Sequence, residues 1–348
     1  MNNTTDYIGF DVHKKTISYC VKKMDGTLHE EGVIEATRPE LRSWVERRPR
    51  QWVGAMEATL FTGWIYDELK PHACELKVAH PAMLKAIAAS KKKNDRVDAE
   101  KIADLLRCDL LPESYMAPIY IRELRRMLRY RNLIVSEAVR MKNKISGLLM
   151  ETGTVYNKKR LHGEGYFTEL LENLEEVPPS VVSLLQFSRG ALEMFQSVER
   201  QLRRQLSQDA QLRKRLELLK TIPGVGDIVG LTWILEVGEV QRFSSIANAI
   251  SYCGLCSAQN SSAGKEQRGP ISKQRNRHLQ SVLVEAGKLA PRWNPQLKAL
   301  HERELKRGSR NRATLAVARK LVAYLVSVDR SGKPFEMRMM DGEAKEAG

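Results

Sequence analysis

Near residue 121 the hydrophobic pattern of this chain changes period, and that change constrains the fold more than any other feature. Beyond it, Met127, Ile134, Met141 and Leu148 recur every seven residues, with Leu124, Ala138 and Ile145 as a companion series that Arg131 alone interrupts. Such spacing predicts one long amphipathic helix of coiled-coil character. A polar, basic stretch follows between Gly153 and Gly165. Pro178-Pro179 then opens a second long helix bearing Leu185, Leu192, Phe195, Val198, Leu202 and Leu206. Two long helices joined by a loop make a hairpin. It serves as a spacer or oligomerisation arm, or as the core of an ordinary helical bundle, and the pattern alone allows either.

Before residue 121 the signals are short. Residues 7–12, 16–21, 51–57 and 75–79 read as strands, with Asp25-Gly26 as a turn leading into a further strand. Residues 39–46, with Leu41, Trp44 and Val45 on one side, read as a helix. So do residues 62–70 and the segment opening at Asp95 that carries Ile102, Leu105 and Leu106. Strands interleaved with helices indicate an α/β domain. The expected organisation is an α/β domain over 1–120, a long helical region over 121–218 and a mainly helical domain over 219–340.

Four carboxylates occupy equivalent places in the first domain. Asp11 ends the first strand, Glu57 ends a later one, and Asp95 and Asp98 lie three apart at the start of a helix, hence on one face. An acid pair in a first helical turn is also favoured by the helix dipole alone, which is the plain reading of Asp95 and Asp98. The acids at strand ends argue for more, because a carboxylate ending a buried strand is costly unless paired, solvated or metal-bound. Four such groups can hold two divalent cations about 3.5–4 Å apart for phosphoryl transfer, and oxygen donors select Mg2+ or Mn2+ over zinc. Lys91, Lys92, Lys93 and Arg96 surround the helical pair and would meet a phosphate backbone.

The third region opens with Ile222-Pro-Gly-Val-Gly226, which resembles a helix-hairpin-helix turn whose glycines admit a backbone phosphate. The adjacent hydroxyls Ser261 and Ser262 follow in a glycine-flanked segment read as a flexible loop, succeeded by Lys265, Arg268, Lys273, Arg275 and Arg277. A serine among arginines is either an ordinary loop residue or a nucleophile on a phosphodiester. Residues 258–328 hold 15 Lys and Arg against 4 acids, most of the chain's formal +15. That excess points to nucleic acid, and equally to DNA or RNA. The five cysteines are too scattered for a disulfide framework, and Cys253-x-x-Cys256 has no second pair to complete a zinc site. No apolar run approaches a membrane span and the first residues lack a signal-peptide layout, so a cytoplasmic protein without membrane partners is expected.

Taken in order, Tyr7-Ile-Gly-Phe-Asp11, Met56-Glu57-Ala58-Thr59, Lys93-Asn94-Asp95-Arg96-Val97-Asp98-Ala99, Ile222-Pro-Gly-Val-Gly226, Gly254-Leu255 through Ser261-Ser262, Ile271-Ser-Lys273 and Gly332-Lys-Pro-Phe335 resemble one family. It is the insertion-sequence transposases that pair a RuvC-like, RNase H-fold domain with a serine-bearing transposase domain. Its members include bridge-RNA-guided DNA recombinases, and Piv-type DNA invertases are related. The resemblance implies that Asp11, Glu57, Asp95 and Asp98 form the metal-binding tetrad. It implies that Ser262 attacks DNA to give a 5′-phosphoserine-type intermediate, with strand exchange passing through a Holliday junction. Donor and target double-stranded DNA, a guide RNA and a homodimer or tetramer with composite active sites come with it. The sequence departs from the family pattern at Ser262-Ala263 (usually Ser-Gly), at Gly254-Leu-Cys-Ser257 (usually Gly-Leu-Thr-Pro) and at Lys273-Gln-Arg-Asn276, which leaves Ser261 as an alternative nucleophile. Two other readings stand beside this one: a junction-type nuclease using the tetrad and water, and a non-catalytic nucleic-acid-binding protein.

Overall fold

The computed structural model describes residues 5–48, 51–87, 94–262, 265–271 and 275–337, with backbone alone over 258–262, 265–268 and at Pro270. Two compact units divide the chain, Met1–Ile119 and Tyr120–Gly348.

The first unit contains β1 (Asp6–Val12), β2 (Thr16–Lys22), β3 (Leu28–Glu35), α1 (Arg38–Glu46), β4 (Trp52–Glu57), α2 (Thr62–Leu69), β5 (Glu75–Ala79), α3 (Pro81–Ile87) and α4 (Asp95–Arg107). The five strands form one sheet in the order β3-β2-β1-β4-β5. β1, β2 and β3 are antiparallel neighbours, whereas β1, β4 and β5 run parallel. Alternation along β1 decides what each face meets. Ile8, Phe10 and Val12 enter a core with Leu41, Trp44 and Val45 of α1 and Ile65 and Leu69 of α2. Gly9, on the opposite face, lies under α4, where an added Cβ would fall 2.1 Å from the Ala99 carbonyl oxygen. Val53 and Ala55 of β4 join Ile102 and Leu106 of α4 on that face.

Lys22 fastens α4 to β2. Its ammonium, on a side chain only 8% exposed, lies 2.9 Å from Glu100 and 2.7 Å from Asp104. Both acids keep partial contact with water, so a Lys22→Ala variant is expected to lose about 1–2 kcal/mol. A lowered urea midpoint with unchanged slope would record that loss.

The second unit contains α5 (Ile119–Glu151), α6 (Glu164–Glu172), α7 (Pro179–Gln208), α8 (Ala210–Lys220), α9 (Asp227–Val237), α10 (Ile246–Tyr252), β6 (Ser257–Ser262), β7 (Lys265–Ile271), α11 (Arg277–Leu289), α12 (Pro295–Lys306) and α13 (Arg310–Ser331). The predicted helical hairpin is present. Ile145, Leu148 and Leu149 of α5 share a core with Leu185 and Leu192 of α7, and Arg131 pairs with Glu199 across it at 2.6 Å. The other end of α5 belongs to a different core, in which Leu128 is fully buried and Leu124 and Met127 pack beside α9 and α13. Leu128 and Leu149 fall outside the heptad series yet are fully buried. The apolar stripe is therefore wider than a two-helix seam, as for a helix packed in a bundle.

One expectation needs correcting. Ser261 and Ser262 do not lie in a loop: they end β6, which pairs with β7 in an antiparallel ladder, Ser261 opposite Glu266 and Ser262 opposite Lys265. The segment Ser257-Ala-Gln-Asn-Ser-Ser262 is polar without alternation, so it carries no signal of a half-buried strand.

Candidate active site

The parallel pairing of β1 with β4 brings two of the acids to one edge. The ladder runs from Asp6 opposite Trp52 to Phe10 opposite Met56, so the next pair in register is Asp11 with Glu57. Asp11 continues the face of Gly9, and Glu57 that of Val53 and Ala55, so both residues belong to the face covered by α4. Asn94 caps α4, its side chain accepting a hydrogen bond from the Arg96 amide at 3.2 Å, and this fixes Asp95 and Asp98 in the first turn.

Asp11, His13 and Asp95 converge, each offering a ligand atom within 4.8 Å of the others. His13 Nε2 lies 3.1 Å from Asp11 Oδ2 and 3.4 Å from Asp95 Oδ1. Asp98 pairs with Lys101 at 3.1 Å one turn along α4. Burial pushes the Asp11 carboxyl above its ordinary value; His13 opposes this, and the charges of Asp95 and Asp98 add to it. A carboxylate that resists ionisation because it is withdrawn from water, with further carboxylates nearby, is relieved by a cation. The donor set is chiefly oxygen with one imidazole nitrogen, which fits a divalent ion.

In the second unit Ile222-Pro-Gly-Val-Gly226 joins α8 to α9 as a helix–turn–helix. Gly224 has φ +95°, and a Cβ there would lie 2.9 Å from Ala290 Cα, so only glycine fits the turn. Gly226 is the N-cap of α9, with open space where a side chain would stand.

Residues 8–154 match a transposase family profile, the DEDD domain of IS110-type elements, and residues 216–302 match the profile described as "Transposase IS116/IS110/IS902 family". The chain belongs to the IS110/IS116 family of transposases. It is 25% identical to the transposase for insertion sequence element IS1328 of Yersinia enterocolitica, over 94% of this chain and 98% of that one. A probable family 20 transposase of Pseudomonas aeruginosa is 23% identical over 82% of this chain and 84% of its own length. The transposase for IS1111A of Coxiella burnetii is 27% identical over 66% and 64%. The chain is thus a DNA-processing enzyme with a DEDD-type domain, and among the described residues no helix is long and apolar enough to cross a membrane.

Of the transposase's expected site residues, the structure gathers Asp11 and Asp95, sets Asp98 one turn from Asp95 and ends the neighbouring strand in Glu57. His13 was not anticipated. Its signal was the spacing Asp11-x-His13, since alternate residues at a strand end turn to the same side. The turn is held by the His13 amide donating to the Thr16 carbonyl at 2.9 Å. Arg96 forms an ion pair with Glu31. Lys91, Lys92, Lys93 and Lys273 lie outside the described residues, and Lys265 and Arg268 are placed by backbone only, in β7. Arg275 and Arg277 are exposed on either side of Asn276, the N-cap of α11.

The base of the serine hairpin is firmly held. Arg319 Nε donates to the Leu255 carbonyl at 2.8 Å, and the Asn276 amide donates to the Tyr252 carbonyl at 3.1 Å. Asn276 Nδ2 donates to Glu236 at 2.8 Å. Burial pushes the Cys253 thiol up to about 12, so that thiol stays protonated as a small core residue.

Proposed function

We propose that this transposase cuts and exchanges DNA strands with two sets of groups: the acids Asp11, Glu57, Asp95 and Asp98, and the hydroxyl of Ser262. The first unit is read as an RNase H-like, RuvC-like domain, with its acids at the edge where parallel β1 and β4 end. The observation that carries the reading is the convergence of Asp11 and Asp95 on one side of His13, inside a region that matches a DEDD transposase domain.

Asp11, Glu57, Asp95 and Asp98 would hold the metal, Mg2+ or Mn2+. When bound, such an ion supplies positive charge to the phosphate oxygens and lowers the pKa of a bound water or hydroxyl. The protein's own groups do the rest. Ser262 Oγ attacks phosphorus and forms an O–P bond, and the bond to the 3′ oxygen breaks. The serine proton passes to water or a neighbouring base, and a proton returns to the leaving 3′ oxygen. The DNA 5′ end is then held as a phosphoserine ester, which a second strand's 3′ hydroxyl attacks to regenerate Ser262 and complete exchange. Arg275 and Arg277, flanking the end of the hairpin, would face the phosphate backbone.

Guidance by a bridge RNA and assembly as a homodimer or tetramer belong to the same proposal. Apolar surface left on the helical hairpin supports the second: Leu133 and Val139 of α5 and Leu184, Phe187 and Met194 of α7 are exposed, Phe187 to 73%.

The test is recombination between donor and target plasmids in cells, with the element's flanking non-coding DNA supplied. Ser262→Ala and Asp11→Ala are each expected to reduce recombination at least about 1,000-fold, the scale seen when a group acting in the chemical step is removed. Wild type is expected to require the flanking DNA as transcript. Recombination by Ser262→Ala would move the chemistry to Ser261 or to water.

A further inference from the structure

A cleft of about 360 Å³ opens beside the acids, lined by His13, Lys14, Ala36, Arg38, Phe61 and Trp64. His13 belongs to both places, since its Nε2 faces Asp11 and Asp95 while the residue also borders the cleft. Its lining combines two aromatic side chains, Phe61 and Trp64, with two cationic ones, Lys14 and Arg38. Phe61 and Trp64 are partly exposed, Lys14 is exposed, and the Arg38 guanidinium stands 5.5 Å over the Trp64 ring while pairing with Glu68.

The loop that supplies Phe61 is braced rather than slack. Thr62 Oγ1 donates to the Glu57 carbonyl at 2.8 Å, the Thr59 amide donates to Thr62 Oγ1 at 2.7 Å, and the Phe61 amide donates to Thr59 Oγ1 at 3.2 Å. The same short loop therefore fixes the aromatic wall relative to Glu57. It also presents Leu60 at 92% exposure, an apolar side chain held out into solvent on a fixed backbone.

Aromatic faces beside cations are the pairing that binds unstacked bases with their phosphates. The volume is at the small end of ligand sites, enough for one nucleotide and too small for a base pair. We propose that this cleft takes one unpaired nucleotide flanking the scissile phosphate, its base against Phe61 and Trp64 and its phosphate toward Lys14 and Arg38. The proposal rests on reading the acids as the phosphodiester site, and it adds that the strand is locally unstacked there. A base drawn from a duplex must leave its stack to enter.

The probe is a five-nucleotide strand whose sole base is a central 2-aminopurine, the other positions being abasic, compared with a fully abasic strand. Full-length transposase is expected to bind the one-base strand about 10-fold more tightly than the abasic one, with quenching of the 2-aminopurine. Trp64→Ala and Phe61→Ala should each remove that preference and leave abasic-strand binding unchanged, whereas Trp64→Phe should keep it. Lys14→Ala should weaken both strands alike. The deoxyribose strand is expected to bind at least as tightly as its ribose counterpart; a clear preference for ribose would overturn the assignment of the cleft to the scissile strand. No preference in wild type, or a preference that survives both alanine variants, overturns the proposal. Asp11→Asn keeps the two readings apart: it should abolish recombination yet retain base preference. Retained recombination there would sink the acid site, while lost preference in Trp64→Ala would still stand for the cleft.

Discussion

A Gly9→Ala variant is expected to lose both recombination and much of the stability of the first unit, although it adds a single methyl group. The Cβ would fall 2.1 Å from the Ala99 carbonyl oxygen and 2.5 Å from the Ala103 amide nitrogen. Both are helix backbone, so no side chain can swing aside, and α4 as a whole must withdraw from β1. Inserting a group into such a contact costs about 3 kcal/mol or more. In this case the displaced element also carries Asp95 and Asp98, so the acids separate as the helix moves. The expected record is a melting transition for the first unit lowered by roughly 10 °C, with recombination lost even at temperatures where the protein stays folded. Gly190→Ala is the control: it lies in α7 with nothing within 4 Å of its added Cβ, and it should stabilise by about 0.5–1 kcal/mol through helix propensity. Wild-type melting and recombination by Gly9→Ala would show that α4 does not rest on Gly9.

Gly9 also marks how far the sequence could be read. The run Tyr7-Ile-Gly-Phe-Asp11 announces a buried strand ending in an acid, and the period of two assigns Asp11 a face. Nothing local announces that the face is covered by a helix some 90 residues later, because that pairing is set by tertiary packing. The acids were legible because a carboxylate closing an apolar strand has few inexpensive explanations. His13 was not, since one histidine in a polar turn has many. The long helices were legible from their seven-residue repeat, but their packing was not: α5 divides its apolar face between two cores, and a repeat cannot show where one core ends. The serine hairpin was hidden for the opposite reason. Its strand is polar on both faces, so its only signature is the backbone ladder between β6 and β7.

The second large effect is expected at Glu236, a charged side chain 1% exposed at the centre of the second unit. Arg129 grips it twice at 2.8 Å, Asn276 Nδ2 donates to it at 2.8 Å, and the Tyr252 hydroxyl donates to its backbone carbonyl at 3.0 Å. One residue of α9 thereby ties together α5, the end of α10 before the serine hairpin and the cap of α11 after it. Glu236→Ala leaves the Arg129 guanidinium and the Asn276 amide without their acceptor, which is expected to cost about 3–5 kcal/mol. Glu236→Gln keeps the shape and loses the charge, and should cost about half as much. Burial pushes this carboxyl up, but the hydrogen bonds from Arg129 and Asn276 and the charges of Arg129 and Arg125 outweigh it and hold it below its ordinary value. For a depressed carboxyl the stabilisation is complete above the unfolded value of about 4.3 and is lost as pH falls through the lower folded one. Acid unfolding of the second unit should therefore steepen below about pH 4.3 in wild type, and Glu236→Gln should lack that component. Because Asn276 sits where the chain leaves the hairpin, Glu236→Gln should also reduce strand exchange more than it reduces DNA binding. Equal losses in the two would reduce Glu236 to a stability element, and an unchanged acid limb would mean that its charge is not held by Arg129 in solution.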